Sequence, residues 1–232
     1  LLLMKRRGLG SINRRLSVAP MMDCTDRHCR YFHRQLSRHA LLYSEMITTG
    51  AIIHGSREDI LNFSGIEHPV ALQLGGSDPA ELMEAAKIGV DFGYDEINLN
   101  LGCPSDRVQS GCFGAALMKE PQLVYRCISQ IKKTVTKTKV TAKCRLGVDE
   151  QRPELFLPKF LEYLIDSGVD GVIIHARKAL LKGLTPKQNR DVPSLNYGLV
   201  TKMKNQFPQT EIVINGGIDN LREVNQFIDS GL

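Results

Sequence analysis

Seven short apolar runs, rich in strand-forming residues, alternate with longer segments of helical period, and no hairpin signal separates them. The runs lie at residues 17–20, 41–46, 69–74, 96–101, 140–145, 171–175 and 211–215. Helices are expected over 26–37, 78–92, 121–134, 154–167, 198–206 and 221–230. Two parallel strands are joined only by a crossover, so this alternation predicts a parallel sheet covered by helices.

Local chemistry supports several of these boundaries. Asp78-Pro79-Ala80-Glu81 offers an N-cap, a proline at the first helical position and a reciprocal glutamate, and Asn220-Leu221-Arg222-Glu223 repeats the box without proline. Leu82, Ala85, Ala86 and Val90 then share one helical face, as a helix packed on a sheet requires.

A doubly wound sheet places G-x-G-x-x-G after its first strand, whereas here that strand ends in Ala19-Pro20-Met21-Met22. Polar residues instead cluster after nearly every strand, the distribution of a TIM (β/α)8 barrel whose site is built from all the loops at one face. The chain stops at Asp229-Ser230-Gly231-Leu232, so strands 1 to 7 are expected within it and an eighth beyond it. Residues 1–15 read as a flexible basic leader and 16–232 as one incomplete barrel domain.

With 232 residues, 42% hydrophobic, the chain is long enough for one large core. Thirty basic against 25 acidic residues leave a net charge of +5, which favours polyanionic partners without demanding them. The cysteines at 24, 29, 103, 112, 127 and 144 show no CxxC pair and no metal-ligand spacing, so reduced thiols, no metal and a cytoplasmic setting are expected. Leu1 to Leu3 run straight into Met4-Lys5-Arg6-Arg7, and neither a signal peptide nor a membrane helix is indicated.

The stretch from Glu96 to Ser105, EINLNLGCPS, alternates apolar and polar residues and then breaks at Gly102-Cys103-Pro104. It delivers a cysteine to the mouth of the sheet, with Gly102 permitting a tight backbone and Pro104 restricting Cys103 to extended geometry. A small buried hydrophobe beside a strand-ending turn is the plainer alternative. Gathered at the same face are Ala19-Pro20-Met21, Glu45, Gln73, Asn98, Asn100, Lys143, Arg145, His175, Arg177 and Asn215-Gly216-Gly217, a mixture suited to cradling a cofactor.

Lys143, in mid-strand, points inward to the site or snorkels to solvent; inward, it would stabilise negative charge on a bound group. Gly216 and Gly217 let backbone amides approach a phosphate or simply make a sharp turn. Gln73 serves a ligand edge or satisfies neighbouring backbone, and His175 is a functional group or a satisfied core histidine. Arg177 and Lys178, with Lys182, Lys187 and Arg190, make a basic loop where a polyanion could dock, or a solvated one.

The chain resembles the flavin-dependent tRNA-dihydrouridine synthases, the dihydrouridine synthase A subgroup in particular. The resemblance runs through Ser17-Val18-Ala19-Pro20-Met21, residues 25–32 (TDRHCRYF), 48–51 (TTGA), 68–77 (HPVALQLGGS), 96–109 (EINLNLGCPSDRVQ), 174–179 (IHARKA) and 214–217 (INGG). It implies an FMN-binding TIM barrel followed by a small helical RNA-binding domain. It also implies reduction of the uracil C5=C6 bond at tRNA D-loop uridines 20 and 20a, with NADPH recharging the flavin.

Carried over, FMN contacts fall on Ala19, Pro20, Met21, Gln73, Lys143, His175, Asn215, Gly216 and Gly217. The general acid falls on Cys103 and a substrate contact on Asn100, while Arg177 and Lys178 are candidates for tRNA contact and a monomer is expected. Hydride delivery to C6 leaves enolate character at C5 and O4, so a proton donor is needed on the other face of the base, and an ordinary thiol is still protonated near neutral pH. Cys24 and Cys112 depart from the tryptophan and methionine that relatives often carry there. Two alternatives stand beside this reading: an FMN barrel acting on a free pyrimidine, as dihydroorotate dehydrogenases do, and an inactive RNA-binding fragment.

Overall fold

The computed structural model describes residues 12–105, 111 and 113–232. In chain order they form β1 (Ser17–Val18), α1 (Arg27–Leu36), β2 (Leu41–Thr48), α2 (Thr49–His54), α3 (Arg57–Leu61), β3 (Val70–Gly75), α4 (Pro79–Phe92) and β4 (Glu96–Leu101). There follow α5 (Pro121–Thr134), β5 (Lys139–Arg145), α6 (Pro153–Asp166), β6 (Gly171–His175), α7 (Gln188–Asp191), α8 (Tyr197–Gln206), β7 (Glu211–Asn215) and α9 (Leu221–Asp229), with 3-10 turns at Gly65–Glu67 and Gly114–Lys119. Helices α2, α3 and α7 are absent from the sequence expectation. They are short, and α2 and α3 are held by single buried anchors, Ile52 and Leu61, rather than by a repeating apolar stripe.

The seven strands are hydrogen-bonded in sequence order, and every neighbouring pair is parallel. A doubly wound sheet reverses its order at a switch point, whereas uninterrupted order is that of a barrel wall. Alternation separates the two faces. Ile97, Leu99 and Leu101 of β4, Val140, Ala142 and Cys144 of β5, and Val172 and Ile174 of β6 join helix residues such as Ala86, Ile128 and Leu161 in one continuous core. The opposite face carries Glu96, Asn98 and Asn100 on β4 and Thr141, Lys143 and Arg145 on β5, paired in register as Glu96 with Lys139, Asn98 with Thr141 and Asn100 with Lys143. The barrel interior is therefore polar along this wall, while the hydrophobic core lies outside it, under the helices.

Arg14 corrects the expectation of a solvated leader up to residue 15. It is 8% exposed and reaches under the sheet to the first residues of two strands, bonding Glu96 of β4 and, at 2.5 Å, Glu211 of β7. Burial works against its charge, but the two carboxylates outweigh that and raise its pKa above the ordinary arginine value. Asp78 caps α4 as expected, accepting from the amides of Ala80 and Glu81 at 2.9 Å. The carboxylate of Glu81 accepts the hydroxyl of Thr49 at 2.7 Å, so this side chain ties α4 to α2.

Candidate active site

The loop after β1 is shaped by its own sequence. Thr25, fully buried, donates its hydroxyl to the Met21 carbonyl at 3.1 Å and accepts the Met21 amide at 3.0 Å, while Asp26 caps α1 through the Cys29 amide at 2.8 Å. Arg30 locks this corner, donating to the Thr25 carbonyl at 2.9 Å and to Glu67 at 2.7 Å. Ala19, Pro20 and Met21 are thereby held at the rim of a cavity of about 350 Å³. Lys143 from β5 and Asn215 from β7 line the same cavity, with Ile173 and Val213 between them.

Of the nine residues assigned to FMN, these five share one space. Lys143 projects inward, as the first of its two readings requires, and forms no ion pair among the described residues. Burial, reinforced by the neighbouring Arg145 guanidinium, lowers its pKa to about 8. A half-buried ammonium opening onto a cavity is a ready partner for an anionic group.

His175 and the two glycines form a second unit. Gly216 and Gly217 have φ values of 105° and 70°, the left-handed region that favours glycine, and a Cβ on Gly216 would lie 2.8 Å from the His175 ring. The pair makes a sharp turn, and Tyr197 fixes it by donating to the Gly216 carbonyl at 2.6 Å. Burial, with Arg145 and Lys143 close by, drives the pKa of His175 down to about 2, so its ring is neutral and its Nδ1, 3.4 Å from Arg145 Nη1, accepts.

Gln73, Asn100 and Cys103 form the third unit. The Asn100 side-chain oxygen accepts the amides of Gly102 at 3.0 Å and Cys103 at 2.9 Å, and its nitrogen donates to the Gln73 side-chain oxygen at 2.8 Å. Arg145 donates to the Gly102 carbonyl at 3.2 Å, and the Cys103 carbonyl accepts the Ala115 amide at 2.9 Å. A Cβ on Gly102 would meet only ordinary contacts from 3.5 Å outward. The turn is thus set by hydrogen bonds more than by glycine, and it leaves Cys103 half-buried.

Arg145, which the sequence places at this face without giving it a role, organises the site. It is 5% exposed and links β5 to the loop after β6 through the Asn189 carbonyl at 2.9 Å, with burial lowering its pKa to about 10. The two-residue spacing of Thr141, Lys143 and Arg145 on one strand was its sequence signal. Arg177 is occupied locally, donating to the carbonyls of Pro193 and, at 3.3 Å, Asp191, and Lys178 offers its carbonyl to Arg145 at 3.5 Å. Residues 106–109 of the resemblance and Cys112 lie outside the described residues. The other five cysteines form no disulfide, His, Cys, Asp and Glu make no metal-binding group, and no helix is long and apolar enough to cross a membrane, all among the described residues.

Comparison with known proteins agrees with this architecture. The chain superposes on an old yellow enzyme from Trypanosoma cruzi with a TM-score of 0.63 at 12% identity, covering 94% of this chain and 82% of that one. An old yellow enzyme homologue from Zymomonas mobilis gives 0.63 at 13% identity with the same coverage. These likenesses establish the barrel fold. In sequence the chain is 56% identical over 213 residues to a tRNA-dihydrouridine(20/20a) synthase of Synechocystis sp. and 55% over 214 to one of Pasteurella multocida. It is 92% covered in both alignments and spans 64% and 65% of those proteins. The family model described as Dihydrouridine synthase (Dus) matches residues 17–231, and the chain belongs to that family.

Proposed function

We propose that this chain carries the catalytic face of an FMN-dependent tRNA-dihydrouridine synthase that reduces D-loop uridines 20 and 20a, with NADPH as reductant. It would act as a cytoplasmic monomer. The observation that carries this reading is the coincidence, on one barrel face, of a cavity lined by Lys143, which forms no ion pair among the described residues, and a cysteine held on a hydrogen-bonded turn. It is supported by the identity to synthases of that name.

The residues fit a flavin. Ala19, Pro20 and Met21 supply a backbone and apolar rim, Lys143 a cation for an electron-rich ring edge, and Gln73 an amide that both donates and accepts. Gly216 and Gly217 bring the backbone at the end of β7 close, next to His175 and Asn215. When bound, the flavin supplies hydride to uracil C6. Cys103 then gives its Sγ proton to C5, on the opposite face of the base, and Asn100 holds both the cysteine turn and the substrate edge. The uridine must leave the tRNA fold to reach this depth, and the loop from Arg177 to Arg190 offers positive charge for the flanking phosphates.

The test is reconstitution. The purified chain should take up FMN and gain its visible absorbance, and with NADPH should form dihydrouridine in transcribed tRNA. Cys103→Ala should keep the flavin and its reduction by NADPH while losing most product. A chain that stays colourless refutes the flavin assignment, and full turnover by Cys103→Ala refutes the acid.

A further inference from the structure

One row of hydrogen bonds descends through the barrel interior from the Cys103 turn to the opposite end of β4. Below Asn100 and Gln73, the Gln73 nitrogen donates to the Asn98 oxygen at 2.8 Å, and the Asn98 nitrogen donates to the Thr141 hydroxyl at 2.8 Å. Thr141 donates in turn to a Glu96 oxygen, which also accepts the Tyr43 phenol at 3.2 Å, and Arg14 closes the row on the other Glu96 oxygen. Glu96, Asn98 and Thr141 have no exposed surface, and Gln73 is 1% exposed.

The direction of this row is imposed at both ends. The amides of Gly102 and Cys103 can only donate, and so can Arg14, while burial and the Glu96 carboxylate push the Tyr43 phenol well above its ordinary value and keep it a donor. All bonds therefore run toward Glu96. Burial raises the Glu96 pKa, opposed first by Arg14 and then by the Thr141 bond, so the carboxylate is held by the donors converging on it. Turning any one of the three amides over would set nitrogen against nitrogen and oxygen against oxygen, losing at least two bonds at once. Barrel interiors are commonly filled by branched apolar residues, so a polar row here calls for a role.

We propose that Thr141, Asn98 and Glu96 are positioning residues for the proposed reaction. They fix which way the Gln73 and Asn100 amides face, and through Asn100 they hold the turn that carries Cys103. The signal travels four residues down β4, about 13 Å at the usual strand rise. Each of the two upper amides keeps a second N–H proton that the row does not use. The catalytic part of this proposal rests on the proposed function, but the row can be tested without flavin or tRNA.

The test is site-resolved alkylation of Cys103 by iodoacetamide, read by peptide mass spectrometry on the whole chain. Thr141→Val keeps the shape of the side chain and removes its hydroxyl; the Cys103 rate should rise about fivefold, the ratio that one ordinary hydrogen bond corresponds to. Thr141→Ser should restore it to within about twofold. An unchanged rate in Thr141→Val overturns the proposal, as does an equal rise in Thr141→Ser, which would mean packing alone. If Thr141→Val fails to fold, Glu96→Gln decides: a faster Cys103 supports the row, an unchanged one overturns it. A wild-type chain that binds no FMN refutes the flavin reading and leaves the alkylation result intact.

Discussion

Asn100 accepts the backbone amide of Cys103 at 2.9 Å, so the side chain near the end of β4 and the cysteine three residues on form one rigid unit. Asn100→Ala leaves the Gly102 and Cys103 amides without this acceptor and should destabilise the chain by about 1–3 kcal/mol. Faster hydrogen exchange at those two amides, measured beside a lowered melting temperature, is the expected signature. Unchanged exchange would mean that the turn holds itself.

Lys143 sets an alkaline limit on anion binding. Its pKa of about 8 means that the ammonium present at neutral pH is lost as pH rises past that value. Affinity for FMN should be flat below about pH 8 and then weaken by up to about tenfold per pH unit, a limb that Lys143→Met abolishes. Fluorescence titration between neutral and strongly alkaline pH checks this.

Arg14 neutralises Glu96 where neither is reached by water to any extent. Arg14→Ala strands a buried carboxylate and should cost about 3–5 kcal/mol in urea unfolding. The double variant Arg14→Met/Glu96→Leu should recover much of that stability, because an apolar pair of similar size avoids desolvation altogether. It should not recover the slow alkylation of Cys103, since the row above it has lost its terminus.

His175 predicts acid lability. Its folded pKa of about 2 lies below the ordinary 6.5, so between those values the unfolded chain binds a proton that the folded one refuses. Stability should fall as pH drops below 6.5, by up to about 1.4 kcal/mol per pH unit. His68, raised chiefly by its hydrogen bond to Asp95, works in the opposite sense but is more exposed and therefore weaker. Denaturant midpoints of His175→Gln should lose most of the acid slope shown by the wild-type chain.

The strand–helix alternation, the helix starts at Asp26, Asp78 and Asn220 and the barrel order of the strands were legible in the sequence, because period and capping chemistry are local. So was the gathering of Ala19, Lys143, Cys103 and Asn215 at one face, since residues after parallel strands share an end of the sheet. Tertiary structure alone decided what those residues do to one another. That Arg14 is a buried counter-ion and no part of a loose leader follows from two glutamates that are 82 and 197 residues away in the chain. That Glu96, Asn98 and Asn100 continue through Thr141 and Gln73 into one directed row depends on the register of three neighbouring strands. Hydrogen bonds across a sheet join residues by register, and register is set by the packing of the whole wall, which no local stretch of sequence encodes.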